Sequence, residues 1–263
     1  MQINRLKSGG QINRDKTLRF TFNGQSYKGY LGDTLASALL ANGVDIVGRS
    51  FKYHRPRGIV GSGAEEPNAI FQIGSGATTE AGMRATQVEL YDGLVAKSEK
   101  GWPSLSFDIA EVNDWCSKLF GAGFYYKTFM YPAKFWKIYE YFLRRMAGLG
   151  AAPREPDPDY YNHQNTHCDV LVVGAGPAGL MAALSAGKSG AKVIIADDQA
   201  NFGGSLLASK ELIEGLTADK WVSSQLQMLE ELPNVTCLSR STVFGYYDYN
   251  FLTINERCTN HLS

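Results

Sequence analysis

Gly174, Gly176 and Gly179, followed by Asp197, are the residues whose types and spacing point most directly to chemistry. They lie in HCDVLVVGAGPAGLMAALSAGKSGAKVIIADDQ, His167 to Gln199. An apolar run, Val170 to Val173, leads into the glycines, and a small-residue helix carries the chain to a second apolar run, Val193 to Ala196. Two buried parallel strands joined by a crossover helix read this way. In such a turn the first glycine makes the bend, the second lets the backbone approach a pyrophosphate, and the third lets helix pack on strand. The anion rests on unpaired N–H groups at the positive end of the helix. A carboxylate about 20 residues on, at the end of the second strand, accepts the ribose hydroxyls and repels a 2′-phosphate. Asp197, with Asp198 beside it, therefore favours NAD or FAD over NADP. Gly203 and Gly204 would let a later loop pass close to the dinucleotide, with Ser205 as a hydroxyl donor. The bland alternative is that these glycines merely end elements.

Other candidates carry less. RSFKYHRPRG places Arg49, Lys52, His54, Arg55 and Arg57 together, but Lys plus Arg equals Asp plus Glu at 26 each. A neutral chain has no field to attract nucleic acid or an anionic membrane. These basic groups are expected to pair with Glu65 and Glu66 or with a partner subunit, with direct cofactor contact as the alternative. His54 has no second ligand at metal spacing, and adjacent Glu65 and Glu66 read as structural. Phe124, Tyr125, Tyr126, Phe129, Tyr131, Phe135, Trp136, Tyr139, Tyr141 and Phe142 read as core or subunit interface. No nucleophile–base arrangement can be assembled from His54, His163, His167 and His261, so no catalytic residue and no metal ligand are assigned. Cys116, Cys168, Cys237 and Cys258 lack paired spacing and fit a reduced chain. The N-terminus, MQINRLKSGG, lacks the apolar core of a signal peptide. The expected location is cytoplasmic.

The elements that must position these residues follow from patterning. Thr17 to Leu31 alternates around Asn23-Gly24 and reads as a hairpin. TLASALLANG reads as a helix capped by Asp33 or Thr34 and ended by Gly43. Ala69 to Ile73 and Thr86 to Leu90 are strand candidates, with YDGL as the following turn. Hairpin then helix opens a small beta-grasp unit over 1–100. A helical, aromatic-rich connector and linker follow over 101–165. From 166 to 263 the order is strand, glycine turn, helix, strand, a helix from about Leu216 to Glu231, and strand-like runs at Val235 to Leu238, Ser241 to Tyr247 and Phe251 to Arg257.

GRSFKYHRPRGIVGSGAEEPNAIF, GFYYKTFMYP and HCDVLVVGAGPAGLMAAL resemble the N-terminal part of the alpha subunit of heterotetrameric sarcosine oxidase. FGYYDYNFLTINERCTNHL extends the resemblance over essentially the whole chain. The resemblance implies a flavoenzyme with beta, gamma and delta partner subunits that oxidatively demethylates sarcosine to glycine. Oxygen is reduced to hydrogen peroxide, and the one-carbon unit passes to tetrahydrofolate. It places noncovalent FAD and histidine-linked FMN on the beta subunit, the FMN at the alpha–beta interface. It places NAD, not known to turn over in the reaction, on the alpha subunit. Carried onto this sequence, NAD contacts involve Gly174, Gly176, Pro177, Ala178, Gly179, Asp197, Asp198, Gly204 and Ser205, with backbone near Phe244 at the adenine.

Relatives of the beta-grasp domain carry a [2Fe-2S] cluster on C-x4-C-x2-C after a Pro-Arg-Gly segment. PRGIVGSGAEEPNAIF has no cysteine, so a domain with no iron–sulfur cluster is expected. The fold class is then α/β: a cluster-free, 2Fe-2S-ferredoxin-like beta-grasp domain followed by a truncated Rossmann-type FAD/NAD(P)-binding domain. The folate-binding region of the family lies beyond Ser263, and no oxidase activity is expected from these residues alone. Two other readings stay open: the FAD-binding subunit of an amino-acid or opine dehydrogenase, and a non-catalytic interaction module.

Overall fold

The structure is a computed structural model that describes residues 2–119, 121, 123, 129, 131–259 and 262. The chain divides into two units, Met1–Lys7 with Asn13–Tyr160 and Ser8–Ile12 with Tyr161–Ser263.

In the first unit, β1 (Asn13–Phe22) and β2 (Gln25–Leu31) form the hairpin read from the alternation. Asn23 and Gly24 both take positive φ, 51° and 80°, as a two-residue turn matched to strand twist requires. Helix α1 (Leu35–Ala41) starts at Thr34, whose side chain and that of Ser37 cap each other's backbone N–H. Gly43, at φ 77°, follows its end. Short strands β3 (Gly48–Arg49) and β4 (Pro56–Arg57) pair with each other. Strands β5 (Ile70–Ile73), β6 (Glu80–Arg84) and β7 (Leu94–Ser98) then complete a sheet of order β2-β1-β7-β5-β6. β1 and β7 run parallel while the other neighbours are antiparallel. Phe20 and Phe22 of β1, Leu35 and Leu39 of α1, Phe71 of β5 and Leu94 of β7 meet in the core.

One expected strand is absent. Thr86 to Leu90 forms turns and an isolated bridge, and the strand lies after YDGL, at β7. Thr86, Val88 and Leu90 are buried because this segment crosses the start of α1. Val88 O accepts from Leu35 N–H and Leu90 N–H donates to Asp33 O, both at 2.9 Å. Burial alternates there without a ladder.

Downstream, the helical connector appears as α2 (Val112–Trp115) and α3 (Trp136–Ala147). No residue of α3 is buried; Phe124, Tyr125 and Tyr126 of the aromatic stripe lie outside the described residues. No helix among the described residues is long and apolar enough to cross a membrane.

In the second unit, β8 (Val170–Val173), α4 (Pro177–Lys188) and β9 (Val193–Ala196) come first. A two-residue pair, β10 (Leu212–Ile213) with β11 (Leu216–Thr217), precedes α5 (Ala218–Glu230) and β12 (Val235–Leu238). The parallel sheet has the order β12-β9-β8. All four residues of central β9 are buried, as its unbroken apolar run demands. Leu180, Ala183 and Leu184 of α4 join Trp221, Val222 and Leu229 of α5 in the core beside it. A separate hairpin of β13 (Ser241–Tyr247) and β14 (Phe251–Glu256) follows.

Phe71, at 0% exposure, anchors the first unit's core. Phe71→Ala is expected to lower unfolding stability by about 3–5 kcal/mol, as large-to-small core changes do. Urea denaturation followed by far-UV circular dichroism measures it, and a loss under about 1 kcal/mol would place this ring outside the cooperative core.

Candidate functional site

The glycine turn of the second unit is built from backbone requirements first. Gly174 ends β8 at φ 94°, a conformation side-chain-bearing residues avoid, and its N–H donates to Ala196 O at 2.8 Å. Gly176 is the extended N-cap of α4, and Pro177 opens the helix, where a missing N–H costs nothing. A Cβ on Gly179 would stand 1.9 Å from the Gly174 carbonyl oxygen, so only glycine lets the helix pack onto the turn. By contrast, a Cβ on Gly174 or Gly176 would meet no atom within 4 Å. Open space therefore lies beside the backbone where a ligand would approach. No side chain caps α4. The N–H groups of exposed Ala178 and of Gly179 have no acceptor within the helix, and its positive dipole end faces the same place.

The second glycine pair closes on the first. Gly203 N–H donates to Ala175 O at 2.8 Å, and a Cβ on Gly204 would come 2.9 Å from Gly176 Cα. Ser205 is exposed in the short 3-10 turn Gly204–Ala208 that follows.

Asp197 reaches the turn directly. It is 8% exposed, and its Oδ2 accepts from Ala175 N–H at 2.6 Å while Oδ1 accepts from Gln199 N–H at 2.8 Å. The acid thus braces the glycine turn, a role its sequence position did not disclose. Each carboxylate oxygen keeps a second lone pair for another donor. At neighbouring Asp198, burial and then the Asp197 charge push the carboxyl up, partly offset by Arg257. The Arg257 guanidinium donates to the Asp198 carbonyl oxygen at 2.6 Å. That contact joins β9 to the residue after β14, too far apart in sequence to be read from spacing. Phe244 lies at the bulge of the β13–β14 hairpin, 64% exposed. It is outside the set of contacts that ties the turn, Asp197 and Gly203 together.

The basic loop of the first unit does not pair with Glu65 and Glu66. Arg49, 3% exposed, donates to Leu105 O, His54 O and the Glu111 carboxylate. Arg55 pairs with Asp114 at 2.6 Å, and His54 Nδ1 lies 2.6 Å from Asp108 Oδ2. Glu65 and Glu66 instead accept from backbone N–H groups within their own loop. Those donors are local, so the carboxylates are satisfied before any arginine is needed. His163 and His167 are exposed and His261 lies outside the described residues. Among the described residues no group of three or more His, Cys, Asp or Glu could hold a metal ion.

Two substitutions test this geometry. Gly179→Ala is expected to cost about 1–3 kcal/mol of stability, as overpacking does, measured by thermal unfolding. Asp198 binds its proton more tightly folded than unfolded, so stability falls as pH rises from about 4 through the raised folded value. Asp198→Asn removes that loss: its melting temperature should exceed wild type at pH 7, with the gain vanishing below about pH 4. A gain independent of pH would refute the burial account.

Comparison with known proteins adds three findings. The family described as 2Fe-2S iron-sulfur cluster binding domain matches residues 15–101. The family described as FAD binding domain matches residues 169–236, from the start of β8 into β12. The solved structure of L-proline dehydrogenase from P. horikoshii is 17% identical, with a TM-score of 0.51, covering 92% of this chain and 37% of that chain, and so shares its fold. The first match corrects the expectation of a domain with no iron–sulfur cluster. The hairpin, helix and mixed sheet that place the loop are those of a cluster-binding family, whatever the loop's own side chains are. Residues 15–101 contain no cysteine, so this segment does not supply the thiolates that hold such clusters. The second match names FAD where the resemblance implied NAD.

Among curated relatives, the sarcosine oxidase subunit alpha of Rhizobium meliloti is 52% identical over all 263 residues. The sarcosine oxidase subunit alpha of Corynebacterium sp. strain U-96 is 37% identical over 97% of the chain. The chain is a homologue of the sarcosine oxidase alpha subunits, of which it spans 27% and 22% of the length in these two relatives.

Proposed function

We propose that residues 166–263 hold the adenosine diphosphate half of NAD in a Rossmann-type domain. The chain as a whole is then one part of an alpha subunit in a sarcosine oxidase complex. On this reading, 1–100 and the 101–165 connector serve as scaffold toward beta, gamma and delta subunits. Oxidative demethylation of sarcosine, with the one-carbon unit passed to tetrahydrofolate, is the reaction of the whole assembly.

One observation carries the nucleotide reading: the uncapped start of α4, with open space beside Gly174 and Gly176, lies next to a carboxylate fixed on Ala175. Backbone N–H groups at Ala178 and Gly179 would bind the diphosphate. Asp197 would orient the ribose through its remaining lone pairs and exclude a 2′-phosphate. Gly204 and Ser205 would cover the dinucleotide from the adjoining loop, and backbone near Phe244 would meet the adenine. A bound nicotinamide can exchange hydride, and a bound flavin can take an electron pair. The second reading is FAD at the same turn, which the match over residues 169–236 favours.

Isothermal calorimetry with NAD tests the assignment. Wild type should bind NAD and discriminate against NADP. Asp197→Ala should bind NAD more weakly by about 1.5–3 kcal/mol, the worth of a hydrogen bond to a charged group. Equal heats from both proteins would end the ribose role of Asp197. A yellow chromophore released on denaturation would assign the turn to FAD instead.

A further inference from the structure

We propose that Val60, Gly61, Asn68 and Ala69 form an anion site whose resident ligand is the carboxylate of Glu66, and that the loop 58–69 folds around this internal anion. This loop belongs to the first unit, and its order does not depend on nucleotide binding.

Glu66 is 1% exposed. Its Oε2 accepts from Val60 N–H at 2.7 Å and Gly61 N–H at 2.5 Å. Its Oε1 accepts from Asn68 N–H at 2.8 Å and Ala69 N–H at 3.2 Å. The donors come from both ends of the loop, so a single carboxylate closes it. Burying a charge is costly unless hydrogen bonds compensate; here burial opposes ionisation, but the N–H groups of Gly61, Asn68, Val60 and Ala69 outweigh it and hold the carboxyl below the usual range. Converging backbone N–H groups are the general form of an anion-binding nest. Around them the loop is tied further: Asn68 Nδ2 donates to Gly58 O at 2.9 Å, and Thr86 Oγ1 donates to Gly63 O at 2.7 Å. Gly61 suits the crowded turn, since a Cβ there would lie 2.8 Å from Glu65 Oε1 and 3.2 Å from Glu66 Cα. The segment falls within the match to the 2Fe-2S family, whose cluster sulfurs accept hydrogen bonds; in this structure the acceptor at the loop's centre is the Glu66 carboxylate.

Because the ligand is a side chain, removing it leaves a site for a small carboxylate from solution. Hydrogen exchange on the whole chain, read by mass spectrometry, tests this in Glu66→Ala and Glu66→Gln. In Glu66→Ala, amides of 58–69 should exchange at least about tenfold faster than in wild type, while those of β1 and β2 change less. Excess sodium formate should restore protection and raise the melting temperature, and sodium chloride at equal ionic strength should not. Unchanged exchange in 58–69, or equal effects of formate and chloride, would overturn the proposal. If Glu66→Ala does not fold, Glu66→Gln decides: its amide nitrogen cannot accept, so the same local acceleration is expected, and wild-type protection there would overturn the proposal.

Discussion

The bond from Ala175 N–H to Asp197 Oδ2 is the constraint on which the second unit's candidate site depends. It joins the turn after β8 to the end of β9, so the glycine crook and the acid cannot drift apart. Everything nearby is measured from that junction. Gly203 reaches Ala175 O from the next loop, and Ser241 N–H reaches Asp197 O at the start of β13. Ala175 is wholly buried, so its N–H would be a costly orphan without an acceptor. The same carboxylate that makes the site chemically interesting is therefore also needed by the fold.

Elements whose signals are local were legible in the sequence. Asn23-Gly24 demands positive φ at two consecutive residues and specifies its turn almost alone, and Asp33-Thr34 marks a helix start. The β8-α4-β9 stretch was equally clear, because apolar runs, glycines and acid occur in one short window. What could not be read depends on long-range contact. Thr86 to Leu90 alternates like a strand, yet its alternation comes from lying across α1, while LVAKS, a run of the same length, takes the ladder position between β1 and β5. Apart from the His54 carbonyl beside Arg49, the partners of Arg49, Arg55 and Arg257 lie 56 to 62 residues away. Nothing in the spacing of charges announces such pairs, and the local guess, Glu65 and Glu66, failed because backbone N–H groups outcompete distant cations for a carboxylate in a tight loop.

The cluster-binding match shows a related separation between scaffold and loop. Phe20, Phe22, Leu35, Leu39, Phe71 and Leu94 determine the sheet and its helix, and a hydrophobic core of this kind tolerates wide change on the loops it carries. The cysteine content of a loop therefore does not identify the scaffold that carries it. In this structure the backbone donors of residues 58–69 are directed at Glu66.

A common rule links the buried acids of both units. Asp33 takes the Arg5 fork and Tyr30 N–H, Asp108 takes His54 and Ala110 N–H, Glu66 takes only backbone N–H groups, and Asp197 takes two of them. Equal numbers of acidic and basic residues thus conceal an asymmetry: these carboxylates turn inward, where fixed N–H donors replace water. Carboxylates suit the task because two oxygens can accept up to about four donors, whereas a guanidinium can satisfy only acceptors. Such donors are most concentrated where the chain turns sharply, at the glycine crook and in the 58–69 loop. That is also where a phosphate or another anion would be bound. Loop order and anion binding draw on the same converging N–H groups, differing only in whether the anion belongs to the chain.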